Sequence, residues 1–255
     1  GTYLIQSYIG TSLICCIPKY IAGVKVTTLS STMFSGKDDL KNVVIPQVIT
    51  SIPKGLLKEC QSLESISIPF VGAKENTTGY DSVFGYIFGL NSNSSSSNKT
   101  STGKYTHQYT DRYGSYYSYY IPKTLKYIRI TKQLEIPANA FCNCDLIETI
   151  EIPINTKSIG EEAFYECNKL TKLNSDVNGQ CIIPNEVLKI EASSFYKCES
   201  LSSIVMDESI ASIAESAFSG CKMVKRINSD KDGIINVPKS CEQIGAYSFS
   251  GMGFI

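Results

Sequence analysis

The stretch Phe141-Cys142-Asn143-Cys144-Asp145-Leu146-Ile147-Glu148-Thr149-Ile150-Glu151-Ile152-Pro153, running on through Ile159-Gly160 to Ala163-Phe164, decides the fold. From its aromatic, Cys follows three residues on, Ile six on, Ile again nine and eleven on, then Pro; the phrase closes on Ile-Gly and Ala-Phe, where it starts again. Aligned on this phrase, the chain has anchors at Phe34, Leu57, Phe141, Phe164, Phe195, Phe218 and Phe249. Phe34 to Leu57, Phe141 to Phe164 and Phe195 to Phe218 are steps of 23 residues, whereas Phe164 to Phe195 and Phe218 to Phe249 are steps of 31. A period carried through many copies marks a stacked repeat.

Stacking is a physical necessity. Ordering the backbone of one unit costs more than its seven or eight apolar side chains return on burial, so a lone coil cannot fold. The Ile-x-Ile alternation reads as a short strand, and the Pro after it ends the strand at a turn without removing a ladder donor. Piled coils pair these strands into a parallel sheet at about 4.8 Å per step, and the Ile-Gly-x-x-Ala-Phe stretch returns along the opposite side. Each coil then supplies hydrogen bonds and core to its neighbours.

Both 31-residue units carry an eight-residue excess at the same place, opening Asn174-Ser175-Asp176 and Asn228-Ser229-Asp230. The phrase resumes beyond it at Ile183-Pro184 and Val237-Pro238. Of the ten cysteines, Cys60, Cys144, Cys167, Cys198 and Cys221 share one position of the phrase. Stacked side chains at one position point the same way rather than toward each other, so buried free thiols are expected in preference to disulfides. Cys15, Cys16, Cys142, Cys181 and Cys241 lie off that column.

Charge and composition exclude several function classes. Lys plus Arg and Asp plus Glu balance at 24 each, which leaves no basic stripe for a phosphate backbone and makes nucleic acid an unexpected partner. No apolar run is long enough to span a membrane as a helix, and Gly1-Thr2-Tyr3 has neither an initiator Met nor a leader. One histidine, His107, leaves little for Ser-His-Asp or Cys-His chemistry. Cys142-Asn143-Cys144 has no second ligand pair at zinc spacing, and the two Asn/Asp-Gly loops lack the distal acid of a calcium loop. No cofactor or metal is expected.

The recurring positions resemble the BspA-like branch of leucine-rich repeat proteins, whose unit reads close to Ala-Phe-x-x-Cys-x-x-Leu-x-x-Ile-x-Ile-Pro-x-x-Val-x-x-Ile-Gly. Ile17-Pro18 to Val26 looks like a first coil, five residues longer than standard before Phe34. Lys37 and Met252 depart from the pattern where Cys is expected, and Ile255 falls partway through a repeat, as in a fragment of a longer protein. The expected fold is an α/β-type leucine-rich-repeat solenoid, a right-handed superhelix with a parallel sheet on its concave face and irregular or short helical convex segments. Residues 1–255 would form one domain of about eight to nine coils. The resemblance implies a non-enzymatic protein, extracellular or at the cell surface, that adheres to host or neighbouring-cell partners.

One interruption breaks the phrase. Between Pro69 and Leu125 it is stretched by 39 residues; Ser82-Val83-Phe84 reads as a disguised anchor, and the excess lies over 85–120. This insertion opens with Phe84 to Gly89, a segment similar to one seen in BspA-like relatives, and passes through the low-complexity run Asn91 to Asn98, expected to be mobile. Asn76, Asn93 and Asn98 head glycosylation sequons. It then becomes tyrosine-dense, and Tyr109, Tyr113, Tyr116, Tyr117, Tyr119 and Tyr120 are candidate contacts. Tyrosine among Ser, Gly and Asn makes adaptable binding loops; the same rings could instead cover an irregular coil junction. On the sheet, the expected outward residues are Asn42, Val44, Ser65, Ser67, Thr149, Glu151, Lys172, Ser203, Val205 and Arg226, none of them aromatic. Thr149, Glu151, Lys172 and Arg226 are the candidate ligand contacts among them. A protein- or glycan-binding adhesion module is the leading expectation, and a spacer or assembly scaffold for another domain is the alternative.

Overall fold

The computed structural model describes residues 1–89, 103–110 and 116–253. The chain forms two compact units, 1–132 and 133–255. In the first, the strands are β1 (Tyr3–Ile5), β2 (Ile14–Cys16), β3 (Tyr20–Ile21), β4 (Val24–Leu29), β5 (Asn42–Val44), β6 (Ser65–Ile68), β7 (Gly103–Thr110), β8 (Tyr116–Pro122) and β9 (Tyr127–Ile130). In the second they are β10 (Glu135–Ile136), β11 (Thr149–Glu151), β12 (Ser158–Ile159), β13 (Lys172–Leu173), β14 (Gln180–Ile182), β15 (Lys189–Ile190), β16 (Ser203–Val205), β17 (Ser212–Ile213), β18 (Arg226–Ile227) and β19 (Gln243–Ile244). Two 3-10 turns, Gly79–Asp81 and Phe84–Phe88, are the helical elements among the described residues.

In unit 1 the Ile-x-Ile positions form the parallel sheet β2-β5-β6-β9, in a register that places Cys15, Val43, Ile66 and Ile128 on one inward row. All four are buried. Strands β1 and β4 pair in parallel and β3 runs antiparallel to β4, forming a small separate sheet in the elongated first coil. In unit 2 the order β11-β13-β14-β16-β18 repeats the main sheet, with Ile150, Leu173, Cys181, Ile204 and Ile227 all fully buried on its inward row. The Ile-Gly positions build a second parallel sheet, β15-β17-β19, and β10 pairs with β12.

The aromatic side of unit 2 is equally regular. In every coil the residues two before and two after the Phe adopt positive φ: Asn139 and Asn143, Glu162 and Glu166, Ser193 and Lys197, Ser216 and Gly220, Tyr247 and Gly251. A non-glycine residue in this region costs about 1–3 kcal/mol. Intercoil hydrogen bonds offset that strain: Asn139, Phe141 and Asn143 donate their backbone N–H groups to Glu161, Ala163 and Tyr165 of the next coil at 2.9, 2.7 and 2.7 Å. The Phe rings form a continuous column, with Phe141–Phe164, Phe164–Phe195, Phe195–Phe218 and Phe218–Phe249 centroids 5.4, 5.1, 5.2 and 6.1 Å apart.

Beside this column runs the thiol ladder. Cys167, Cys198 and Cys221 donate their S–H groups to the carbonyls of Phe141, Phe164 and Phe195 at 3.2, 3.2 and 3.1 Å. Each thiol therefore serves as a small apolar group that also satisfies a carbonyl of the preceding coil. All ten cysteines are free. Ion pairs also bridge adjacent coils at related positions, Lys41 with Glu64, Lys197 with Glu166 and Lys222 with Glu199, but they are solvated and add little to stability.

Two details depart from the expected pattern. Leu57 donates its N–H to the carbonyl of Ile87, as Phe141, Phe164, Phe195 and Phe218 donate to the residue before the next Phe, so Phe88 rather than Phe84 occupies the anchor. The 3-10 turn places these two rings edge to face at 5.6 Å, and sequence spacing could not choose between them. The second departure is the eight-residue excess, which adds a rung to the main sheet. Gln180–Ile182 inserts between Leu173 and Ile204, and Ile235 likewise bridges to Ile227. The Phe column is not interrupted across either long coil.

Ser194 is fully buried, and among the described residues its hydroxyl has no hydrogen-bond partner. Ala140, Ala163 and Ala217 fill its position in other coils. Ser194→Ala is expected to raise stability by about 1 kcal/mol and Tm by about 2–4 °C. A drop in the urea midpoint would instead reveal a hydroxyl bond worth keeping.

Candidate binding surfaces

The tyrosine-dense part of the insertion is the antiparallel hairpin β7/β8, with Tyr105 opposite Tyr120, Thr106 opposite Tyr119 and Tyr109 opposite Tyr117. It is seated on the 3-10 turn by side chains from both strands. Gln108, fully buried, accepts a hydrogen bond from the backbone N–H of Gly85. A Cβ on Gly85 would collide with Tyr119, so glycine is required there for close approach and not for backbone freedom. Tyr119 is fully buried and donates its hydroxyl to the carbonyl of Tyr80 at 2.9 Å. Burial, then the nearby Asp81 carboxylate, pushes its phenol well above the ordinary range.

The expectation for Tyr119 is thereby corrected. A ring with no solvent exposure whose hydroxyl is already committed anchors the hairpin and cannot meet a ligand. Tyr117 and Tyr120 remain half-buried at the surface. Tyr117 stacks on Tyr80 at 5.1 Å and 10°, and the Lys54 ammonium lies 5.6 Å from the Tyr80 ring centre. Tyr80 is 40% exposed. Tyr113, the side chains of Tyr109, Tyr116 and His107, and the Asn91 to Asn98 run lie outside the described residues.

On the sheet of unit 2 the four other candidates are spread out. Thr149 and Lys172 are register partners on adjacent rungs. Gln180 and Ser203 then intervene before Arg226, which puts Lys172 and Arg226 about 14 Å apart at the usual strand spacing. Arg226 is paired with Asp232 at 2.7 Å. Glu151, half-buried, sits in the other outward row. Ser203 is buried because the longer Gln180 and Arg226 flank it in register, so it does not face solvent as expected.

Sequence reasoning missed Tyr80, Lys54 and Gln108, whose roles arise from docking of the hairpin. It also missed Tyr127 and Arg129, which continue the outward rows of Ser65 and Ser67 in unit 1 and contradict the expectation of a sheet face without aromatics. The alternation Tyr127-Ile128-Arg129-Ile130 carried that signal. Among the described residues no group of three or more potential metal ligands converges, and no helix is long and apolar enough to cross a membrane.

A family model described as BspA type leucine-rich repeat region matches residues 14–131 and 115–254, with six copies. Among solved structures, a leucine-rich repeat protein of T. pallidum is 19% identical, with 99% of this chain and 82% of that chain covered and a TM-score of 0.45. A leucine-rich cell surface protein of Faecalibacterium prausnitzii A2-165 is 20% identical over 91% of this chain and 62% of its own, with a TM-score of 0.44. A leucine-rich repeat protein of Bacteroides ovatus is 22% identical over 94% of this chain and 58% of its own, with a TM-score of 0.47. No curated protein matches.

Proposed function

The chain belongs to the family of BspA-type leucine-rich repeats, and from that premise we propose that it is a non-enzymatic protein-binding module that works at a cell surface or outside the cell, its contact element the β7/β8 hairpin. The observation that carries this reading is the stacked pair Tyr80 and Tyr117 under Lys54, at the base of a tyrosine-dense hairpin pinned through Tyr119 and Gln108. Rigid aromatic rings held at a surface lose little entropy on binding and make large amphipathic contacts, the usual anchors of protein recognition. Thr149 and Lys172, on neighbouring rungs, would form a weaker polar contact on the sheet. Membership in this family supports the location.

Adhesion of protein-coated beads to epithelial or bacterial cells tests the reading. Replacing Tyr80 and Tyr117 together by alanine is expected to weaken adhesion about 30-fold, the size of a hot-spot loss, while the circular dichroism spectrum stays unchanged. Undiminished adhesion would remove the hairpin from the contact surface and favour the spacer reading.

A further inference from the structure

The two excess loops are built alike. Asn174 and Asn228 both adopt positive φ, at 51° and 47°, and their side-chain carbonyls accept from the N–H of Ile152 and Met206, each at 2.8 Å. Ser175 Oγ accepts from Val177 N–H at 3.0 Å, as Ser229 Oγ accepts from Lys231 N–H at 3.1 Å. Gly179 and Gly233 close the loops with φ of 82° and 80°. At the position before that glycine the loops differ: Asp232 stands in one and Asn178 in the other. Asp232 is held by Arg226, and the residue at the position of Arg226 in the first loop is Lys172, whose ammonium has no acidic partner among the described residues.

Asn178-Gly179 is the chain's single Asn-Gly pair. Asn178 is exposed, and within the described residues neither its side-chain amide nor the backbone N–H of Gly179 makes a hydrogen bond. Glycine after asparagine puts no side chain in the way of the backbone nitrogen. The nucleophile and its electrophile are thus adjacent in the chain, and neither is committed to a hydrogen bond among the described residues.

We propose that Asn178 is a self-modifying site, at which the side-chain amide is lost to the Gly179 backbone nitrogen and the resulting aspartate pairs with Lys172. The Gly179 nitrogen bonds to the Asn178 side-chain carbonyl carbon. The bond from that carbon to the amide nitrogen breaks, and ammonia leaves with the proton from Gly179. Water then opens the five-membered imide. Cleavage between the side-chain carbon and the Gly179 nitrogen restores an ordinary backbone and leaves a carboxylate at 178; cleavage at the main-chain carbonyl gives the isomeric, longer linkage. The first product suits the fold, because the Gly179 carbonyl is fixed by Ser202 N–H, Ser203 N–H and Ser202 Oγ, at 2.6, 3.0 and 3.1 Å, and a lengthened link would pull on that anchor. The first loop then carries the acid-to-base pair already present in the second.

Incubation of the intact protein at physiological temperature and mildly alkaline pH, followed by peptide mapping, tests the chemistry. The expected result is a mass gain of about one dalton confined to the peptide carrying Asn178. A native protein that holds its mass there, while the unfolded chain gains it, would overturn the proposal. The pairing is tested separately with Asn178→Asp, expected to raise Tm by about 1 °C, the scale of a solvated ion pair, and to lose that gain in a Lys172→Ala background. A gain that persists without Lys172 would refute the ion pair.

Discussion

Truncation of Phe195 to alanine is expected to destabilise the second unit by about 3–5 kcal/mol, the range for removing a fully buried aromatic. Its ring has no solvent exposure and is stacked on both faces, by Phe164 at 5.1 Å and Phe218 at 5.2 Å. Neither neighbour can collapse into the void without leaving its own partner, because each backbone is fixed to the adjacent coil: Phe164 N–H donates to Ser194 and Phe195 N–H to Ala217. The cavity should therefore persist. Urea unfolding followed by circular dichroism would read the loss as a lowered midpoint, and hydrogen exchange would place it in coils on both sides of the mutation. Phe249 has a ring neighbour on one side only among the described residues and is half-exposed, so Phe249→Ala should cost markedly less. Equal losses at the two sites would mean that the column is not a cooperative core.

Alkali should unfold this protein earlier than its modest charge suggests. Burial pushes the thiols up from the ordinary value of 9.0, to about 11 for Cys15 and about 12 for Cys60, Cys142 and Cys221, with Cys167, Cys181 and Cys198 also raised by burial. A group whose folded value lies above its unfolded one holds its proton more tightly in the folded state. Its contribution is complete below pH 9 and is lost as pH climbs from there toward about 12. Each such thiol steepens the fall by up to about 1.4 kcal/mol per pH unit, and several act together. Stability measured by urea titration at stepped pH should stay level to pH 9 and drop sharply beyond it; Cys198→Ala should lessen the slope, whatever it does to the level. A slope unchanged by that substitution would show that the thiols do not govern the alkaline limb. The same protonated state predicts that a thiol reagent at neutral pH labels exposed Cys16 well before the buried ladder.

Most of the stacking was legible because it is written in periodic apolar positions. The Ile-x-Ile pairs, the Phe column and the cysteine column of unit 2 each demand one neighbour per period, and the chain contains no competing pattern over unit 2. Three things escaped that logic. Phe84 and Phe88 are four residues apart with similar surroundings, and only the hydrogen bond from Leu57 to Ile87 distinguishes the anchor. The eight-residue excess appeared as a loop between strands, because a rung two or three residues long leaves no alternation to detect; Gln180-Cys181-Ile182 reveals itself only through its register with Leu173 and Ile204. The hairpin's tyrosines look alike in sequence, yet Tyr119 is buried whereas Tyr117 lies at the surface, since facing is set by how β8 lands on Gly85 rather than by residue type.

The inserted rungs also decide how the second unit bends. The first long coil advances the aromatic side by a single ring spacing, 5.1 Å from Phe164 to Phe195, while the opposite side advances by two strand spacings, from β13 through β14 to β16, about 9.6 Å. The stack is therefore wedge-shaped at this coil, thicker where the strands lie, and its axis must swing toward the phenylalanines. The strand side is lengthened there relative to the aromatic side, which flattens the sheet face or makes it bulge. Deleting 174–181 should close the wedge and restore an even pitch.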